Sequence, residues 1–266
     1  MAILADHKQI LKAQSEQKTI SEWVEFFGNQ YTKNQIYSWC YHNGYKIKRI
    51  SKEQLSKINS EKSRIYNINQ DFFKTWSNEM AYVLGFWWAD GCIYNGRIFD
   101  ITTHKKDKYI LKQFADLLQY EGHLYDYVDR QAARLNFSCR VIYDDIVKLG
   151  GKERKSLDAT FPEVPQEFLS HFVRGYFDGD GSIWNVKGGR INSEFCSGSK
   201  DFLITLWEQL KQNGVVKGGN LHLCNASCYE LIFGDRDTKT LGRFMYKDAK
   251  NLYLKRKRER FFDIGE

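Results

Sequence analysis

One eleven-residue stretch occurs twice in this chain, as YVLGFWWADGC at 82–92 and as FVRGYFDGDGS at 172–182. Aligned on their last glycine, both copies show an apolar residue, a glycine, two aromatic residues, a small residue and a closing Asp-Gly. Asp90 of the first copy therefore matches Asp180 of the second, 90 residues later. Self-similarity at a fixed spacing is typical of a duplicated structural unit. The sequence predicts two copies of one fold.

Each copy is predicted to be a helix that ends at its Asp-Gly pair. Ser77 is a suitable N-cap for the first helix, and Gly91 is expected in the left-handed position after its end. Small residues lie four apart on one face of each helix, namely Gly85 and Ala89 in the first and Gly175 and Gly179 in the second. Small residues at this spacing allow two helix backbones to approach closely. We expect the two helices to pack together and to carry Asp90 and Asp180 side by side.

A pair of carboxylates at two helix C-termini is electrostatically unfavourable, because the helix dipole is negative there and free carbonyls crowd the same place. A hard divalent cation such as Mg²⁺ reverses this balance, since it prefers oxygen ligands. Two simpler interpretations compete with this one. A single Asp-Gly is most often a turn. The segment from Asp178 also resembles the start of a calcium loop, but the twelfth loop position is Gly189 instead of Glu.

Both stretches resemble the LAGLIDADG motif of homing endonucleases, and over roughly residues 70–266 the chain is similar to the monomeric members with two motifs. The resemblance implies an α+β fold, in which an αββαββα unit occurs twice and two antiparallel sheets form a saddle over DNA. It implies Mg²⁺-dependent cleavage of both strands across the minor groove, with the penultimate motif acids, here Asp90 and Asp180, as metal ligands. The sixth motif position is usually Asp; this chain has Asp178 in the second copy but Trp88 in the first.

The resemblance also indicates supporting residues around the metal. The backbone carbonyls of Ala89 and Gly179 are expected to help ligate it. Lys155 and Lys257 are candidates for the basic residues near the attacking water, although each is equally compatible with an ordinary phosphate contact or a solvated loop charge. Thr103 and Ser197 end matching predicted strands, where the family carries a polar residue that orders water. The cofactor prediction is Mg²⁺, with Mn²⁺ as a substitute and Ca²⁺ in a complex that does not cleave.

The segments between the motifs follow one order in both repeats, with a hairpin, a helix, a second hairpin and a second helix. Asn95-Gly96 between apolar runs is a strong hairpin signal. Polar strand residues are candidates for reading base edges, although a shift of one residue in the pleat would invert the set. The candidate DNA-binding residues in these repeats are Arg97, Asp100, Thr102, Arg190, Asn192, Glu194 and Arg256.

Residues 1–50 are predicted to form three short helices, with Asp6 and Gln9 capping the first. Capping boxes begin the others at Thr19 and Thr32. Two short helices joined by a Gly-containing turn fit a helix-turn-helix that binds DNA, although a helical packing module without DNA contacts fits the same pattern. The residues predicted to face DNA are Asn34, Tyr37, Ser38, Tyr41 and His42, followed by Lys46, Lys48 and Arg49.

The resulting domain prediction is a helix-turn-helix-like domain at 1–50, a partly helical linker at 51–70, a first repeat at 71–161 and a second repeat at 162–266. Lys and Arg number 40 against 33 Asp and Glu, a net charge of +7 that favours a polyanionic partner without proving one. No apolar run approaches the length of a membrane span, so we expect an intracellular protein located with the host DNA in a prokaryote, a phage-infected cell or an organelle.

The six cysteines are interpreted as reduced, mostly buried thiols. Cys224 and Cys228 become a zinc pair only with partners nearby, and His222 alone is weak support.

The leading functional hypothesis is a site-specific DNA endonuclease that acts as a monomer on a long, asymmetric double-stranded target, because two repeats in one chain already supply the twofold needed to cut two strands. The alternative is a nucleic-acid binder without cleavage, either an intron RNA maturase or a transcription regulator. No intein splicing residue leads the chain, so an intron-encoded or free-standing protein is expected.

Overall fold

The computed structural model describes residues 3–49, 51, 66–127, 130–225 and 227–262. They divide into one compact unit within residues 1–65 and a second within 66–266. Most of the predicted linker lies outside the described residues.

The N-terminal unit consists of the helices α1 (Ala5–Gln14), α2 (Ile20–Phe26) and α3 (Lys33–His42). Both predicted capping boxes are present, since the hydroxyls of Thr19 and Thr32 accept from the third backbone N–H of α2 and α3. The predicted cap of α1 is wrong. Its N-cap is Leu4 without a side-chain hydrogen bond, and Asp6 lies inside the first turn, where its charge favours the helix dipole instead.

The larger unit contains the same succession of elements twice. The first repeat comprises α4 (Asn78–Asp90), β1 (Gly91–Tyr94), β2 (Ile98–His104), α5 (Lys108–Leu117), β3 (Tyr125–Tyr127), β4 (Ala132–Ser138) and α6 (Arg140–Lys148). The second comprises α7 (Leu169–Asp180), β5 (Gly181–Val186), β6 (Arg190–Ser197), α8 (Lys200–Gln212), β7 (Asn220–Asn225), β8 (Cys228–Phe233) and α9 (Asp235–Tyr246). A further helix that the sequence did not predict, α10 (Lys255–Phe262), follows.

Each repeat builds one four-stranded antiparallel sheet, with strand order β1-β2-β4-β3 in the first and β5-β6-β8-β7 in the second. In the first hairpin residues 95–97 connect β1 to β2, and Asn95 and Gly96 both have positive φ, 54° and 66°. The predicted fold class of two αββαββα repeats after a small helical domain is confirmed.

Alternate strand residues face a single apolar core that continues across both repeats and both motif helices. In β2, for example, Phe99 and Ile101 are fully buried within it. No helix among the described residues is long and apolar enough to span a bilayer. The prediction of mostly buried thiols is wrong: Cys40 and Cys139 are buried, whereas the other four cysteines are exposed or half-buried.

Candidate active site at the ends of the motif helices

Helices α4 and α7 are in direct backbone contact at their glycines. A Cβ atom added at Gly85 would lie 2.0 Å from the carbonyl oxygen of Phe172, and one at Gly175 would lie 2.1 Å from that of Tyr82. Nearer the C-termini, a Cβ at Gly179 would lie 2.3 Å from the Cβ of Ala89. The predicted close packing through small residues is confirmed. At Gly85 and at Gly175, the backbone of the opposite helix leaves no room for a side chain.

The closing glycines serve a different purpose from the one predicted. Gly91 and Gly181 have φ values of −100° and −89°, in the extended region, and each begins a strand. A Cβ at Gly91 would lie 2.2 Å from the indole of Trp87, and one at Gly181 would lie 2.3 Å from the ring of Phe177. These positions are therefore restricted by the preceding aromatic ring and not by a left-handed backbone.

Asp90 and Asp180 are the last residues of the two helices, and the charge of Asp180 acts on the carboxyl group of Asp90. Asp90 is exposed and Asp180 is half-buried as whole residues, whereas protein atoms surround both carboxyl groups closely enough to desolvate them. Burial, and then repulsion by Asp180, raise the pKa of Asp90 to about 7. Burial also raises the pKa of Asp180. Lys155 and Lys257 oppose both shifts through their positive charge.

The two lysines occupy matching places, although they differ in hydrogen bonding. The Lys155 ammonium donates to the carbonyl of Gly91 at 2.6 Å and lies 4.9 Å from the Trp87 ring centre. Lys257 donates to the carbonyl of the equivalent Gly181 at 2.7 Å and lies 5.5 Å from the Phe177 ring centre. Both side chains are buried, and burial lowers the pKa of each to about 8.

Lys257 additionally donates to three carbonyls at the end of α7, those of Phe177, Asp178 and Gly179, at 2.7–3.0 Å. Carbonyls in the last turn of a helix lack partners within the helix, and that of Phe177 also accepts from the backbone N–H of Gly181. Burial argues against the alternative that either lysine is a solvated loop charge. The sequence placed Lys257 in a basic run, and only α10 turns it inward.

The sixth motif position has one structural role in both repeats despite its different residues. The buried Asp178 carboxylate accepts hydrogen bonds from the hydroxyls of Tyr82 and Tyr246 and, at 2.8 Å, from the backbone N–H of Leu254. In the first repeat the Trp88 indole donates to the carbonyl of Thr160 at 3.0 Å. Each side chain thereby ties its helix to the chain segment next to the lysine of that repeat. The sequence assigned no such role to either residue.

Thr103 and Ser197 occupy equivalent register positions, each two residues beyond the strand partner of a motif glycine. Thr103 is buried, whereas Ser197 is half-buried and accepts a hydrogen bond from the backbone N–H of Ser199 at 3.1 Å.

The strand residues predicted to read DNA are only partly where the sequence suggested. Thr102, Arg190, Asn192 and Glu194 are exposed or half-buried on strands whose other face meets the core. Arg97 lies in the turn before β2. In the alternation of side chains along the strand, its position corresponds to the sheet face opposite to that of Thr102.

Two predicted DNA-binding side chains are already paired. Asp100 is buried. Its Oδ2 accepts hydrogen bonds from the Arg134 Nε at 2.8 Å and from the Asn136 side chain at 2.9 Å, so this oxygen is engaged within the first sheet. Arg256 forms an ion pair with Asp107 at 2.8 Å but keeps a half-exposed side chain.

In the N-terminal unit the predicted contact residues share one property, exposure to solvent. They are Asn34, Tyr37, Ser38, Tyr41 and His42 on α3 and Lys46, Lys48 and Arg49 after it. Tyr37 and Tyr41 stack with ring centres 6.1 Å apart. The buried side of α3 is formed by Ile36 and Cys40.

Comparison with known proteins finds no matching family model and no matching curated protein. Solved structures do match. The chain is similar to the LAGLIDADG meganuclease I-AabMI bound to uncleaved DNA, at 13% identity over 69% of this chain and 87% of that one, with a TM-score of 0.49. I-DmoI in complex with DNA and Ca matches at 18% identity, over 70% and 94% of the chains, with a TM-score of 0.46.

The N-terminal LAGLIDADG domain of DUF199/WhiA also matches, at 13% identity over 66% and 89% of the chains, with a TM-score of 0.44. The resemblance inferred from the two motifs is confirmed as a likeness of fold, and at these identities it assigns no activity to the chain.

Proposed function

We propose that this protein is a site-specific endonuclease that hydrolyses both strands of double-stranded DNA with the help of a divalent metal ion. The observation that supports this most is the convergence of Asp90 and Asp180 at the ends of two helices in backbone contact. Burial, and for Asp90 also repulsion by Asp180, raises the pKa of these carboxyl groups, so ionising the pair without a cation carries a cost. A purely structural pair gains nothing from that cost.

The donor set fits a hard cation. Two carboxylates and the helix-terminal carbonyls of Ala89 and Gly179 are all oxygen ligands, which Mg²⁺, Mn²⁺ and Ca²⁺ prefer. When bound, Mg²⁺ supplies charge neutralisation at the scissile phosphate and activates a water molecule. The Gly179 carbonyl already accepts from Lys257 at 3.0 Å, and its second lone pair remains for the cation.

The buried lysines support the same chemistry from behind the carboxylates. Their positive charges favour ionised Asp90 and Asp180, the form that binds metal. They also stabilise negative charge that develops on a phosphate held at this place, and burial strengthens that interaction by reducing solvent screening. By holding the carbonyls of Gly91 and Gly181, they fix the point where each helix turns into its strand.

DNA binding is proposed for the polar outer faces of the two sheets and for the exposed face of α3. Replacing Lys46, Lys48 or Arg49 with Ala is expected to weaken binding on all sequences and to reduce the salt dependence by about one unit of slope per lost phosphate contact. Lys12→Ala on the exposed side of α1 serves as the control and is expected to leave the slope unchanged. We further propose that the protein acts as a monomer.

The test is cleavage of a library of DNA duplexes by the full chain with Mg²⁺ and with EDTA. Double-strand cuts at one sequence are expected with Mg²⁺ only, and Asp90→Asn or Asp180→Asn is expected to abolish them. Asp144→Asn, the same change at a surface acid paired only with Arg140 among the described residues, is expected to cleave normally. Tight binding to one sequence without cleavage under any divalent metal would contradict the nuclease and support the alternative of a binder.

A further inference from the structure

The outer face of the second sheet carries six side chains of metal-ligating type on three adjacent strands. They are Glu194 and Cys196 on β6, Cys228 and Glu230 on β8, and His222 and Cys224 on β7. Cys196 is the strand partner of Glu230, and Glu230 is the partner of His222, so these three stand in one row. Directly opposite side chains on one face have Cβ atoms about 5 Å apart.

The side chains converge as well as align. One ligand atom each from Glu194, Cys196 and Glu230 lies within 4.8 Å of the others. The His222 Nε2 lies 3.2 Å from a carboxylate oxygen of Glu230. The other ring nitrogen of His222 is buried and has no hydrogen-bond partner in the described part of the chain. Three potential ligands therefore converge at one half-buried place, and His222 adjoins them through its contact with Glu230.

The cluster lacks compensating charge. No lysine or arginine of the described residues forms an ion pair with Glu194 or Glu230, and the only ionic partner of Glu230 among them is His222. Glu194 and Glu230 place two carboxylate groups in this cluster, and their negative charges repel each other. A bound cation would relieve this repulsion and would deprotonate a ligating thiol.

We propose that Glu194, Cys196, Glu230 and His222 bind one transition-metal ion, for which Zn²⁺ is the best fit. Thiolate, imidazole and carboxylate are each ligands that Zn²⁺ accepts, whereas Mg²⁺ and Ca²⁺ bind thiolate and imidazole poorly. Tetrahedral bonds of about 2.0–2.3 Å place ligand atoms roughly 3.3–3.8 Å apart, so small side-chain rotations close the observed spacing. Cys224 and Cys228 stand beside this set as further thiols.

The proposed ion joins the edge strand β7 to β8 and β6. β7 exposes most of its side chains and has an irregular register between Leu223 and Asn225, so it has little packing to hold it. A metal clip across three strands compensates for that. The assignment removes Glu194 from the residues that would read bases, and it is independent of DNA cleavage.

The test uses the full chain with Asp90→Asn and Asp180→Asn, so that the motif acids do not contribute. After removal of metal, Zn²⁺ is expected to bind one ion per chain and to raise the melting temperature by about 5–10 °C at a hundredfold excess over the dissociation constant. Co²⁺ is expected to give a thiolate charge-transfer band.

Cys196→Ser is expected to remove that band and to weaken Zn²⁺ binding at least tenfold, and Glu230→Gln to weaken it similarly. The matched control is Cys92→Ser, an exposed thiol on β1 of the first sheet, which is expected to bind Zn²⁺ normally. Absence of stoichiometric binding, or an equal loss in Cys92→Ser, overturns the proposal. If Cys196→Ser does not fold, the Co²⁺ band of the parent chain and its loss in Glu230→Gln decide the question.

Discussion

Replacing Gly85 with Ala tests whether the contact between the motif helices holds the active site together. The three atoms nearest to the new methyl group are all backbone, with the Phe172 carbonyl oxygen at 2.0 Å and the Tyr176 nitrogen at 3.0 Å. A comfortable carbon–oxygen contact is about 3.3 Å. No side chain can rotate away, so α4 and α7 must separate by about 1 Å.

Overpacking of this kind costs about 1–3 kcal/mol and more when only backbone can move, whereas the helix propensity of Ala returns up to about 1 kcal/mol. We expect a net loss of about 2 kcal/mol, which corresponds to a fall of about 4–8 °C in melting temperature. Because a displacement of about 1 Å at a catalytic group lowers rates about a hundredfold, cleavage is expected to fall by at least that factor at a temperature where the variant is folded.

The assays are thermal unfolding and single-turnover cleavage of the target, with Gly234→Ala as the control. No atom lies within 4 Å of a Cβ at Gly234, so that variant is expected to lose less than about 1 kcal/mol, through its N-cap position, and to cleave normally. A Gly85→Ala protein with unchanged melting temperature and cleavage within about twofold of the parent would refute the steric reasoning.

Three further predictions follow from buried groups. Because the pKa of Asp90 is about 7, Ca²⁺ affinity measured by calorimetry is expected to fall about tenfold per pH unit below 7, as the metal must displace a proton, and Asp90→Asn is expected to lose this dependence. Burial and then the charge of Arg174 lower the pKa of His171 to about 4, so the unfolded chain takes up a proton before the folded chain does as the pH falls. The free energy of unfolding is therefore expected to fall by about 1–3 kcal/mol between about pH 6.5 and 4, measured by urea titration. His171→Gln is expected to lose less over the same range. Asp178→Asn loses an acceptor of three hydrogen bonds, including that from the Leu254 N–H, and is expected to cost about 2–4 kcal/mol in the same titrations, whereas an unchanged urea midpoint would contradict this role.

The likeness between the two repeats has a physical limit at the motif centre. Trp88 and Asp178 occupy the same position, yet one donates a hydrogen bond to Thr160 and the other accepts three. The segment that Asp178 holds leads directly into α10, which places Lys257 against four carbonyls where Lys155 meets one. We therefore expect the two halves of the site to differ in rigidity, with the second more firmly held.

Much of the fold followed from local signals. The capping boxes at Thr19 and Thr32, the turn at Asn95-Gly96 and the small residues at Gly85 and Gly175 each have a short-range cause, and each is present in the structure. A duplicated motif also predicts two copies of one structural unit, because similar sequences in similar contexts adopt the same fold.

Other features depended on neighbours that are distant in sequence. Asp100 reads as an exposed strand residue, but Arg134, 34 positions later, covers it. Lys257 belongs to a basic run of the kind that is usually exposed on the surface. In the structure α10 buries its side chain against the end of α7. In both cases the deciding energy is the pairing of a charge with a partner that only the folded chain brings near.

The sequence by itself determined where α2, α3 and α4 begin, that the unit is doubled, and which two acids meet. These properties depend on hydrogen bonds and steric contacts within a few residues or on exact repetition. Tertiary structure alone decided which charges are buried, which pleat face each polar residue occupies, and that Cys196, Glu230 and His222 stand in one row. Strand register and burial are set by packing across the whole core, and no local pattern encodes them.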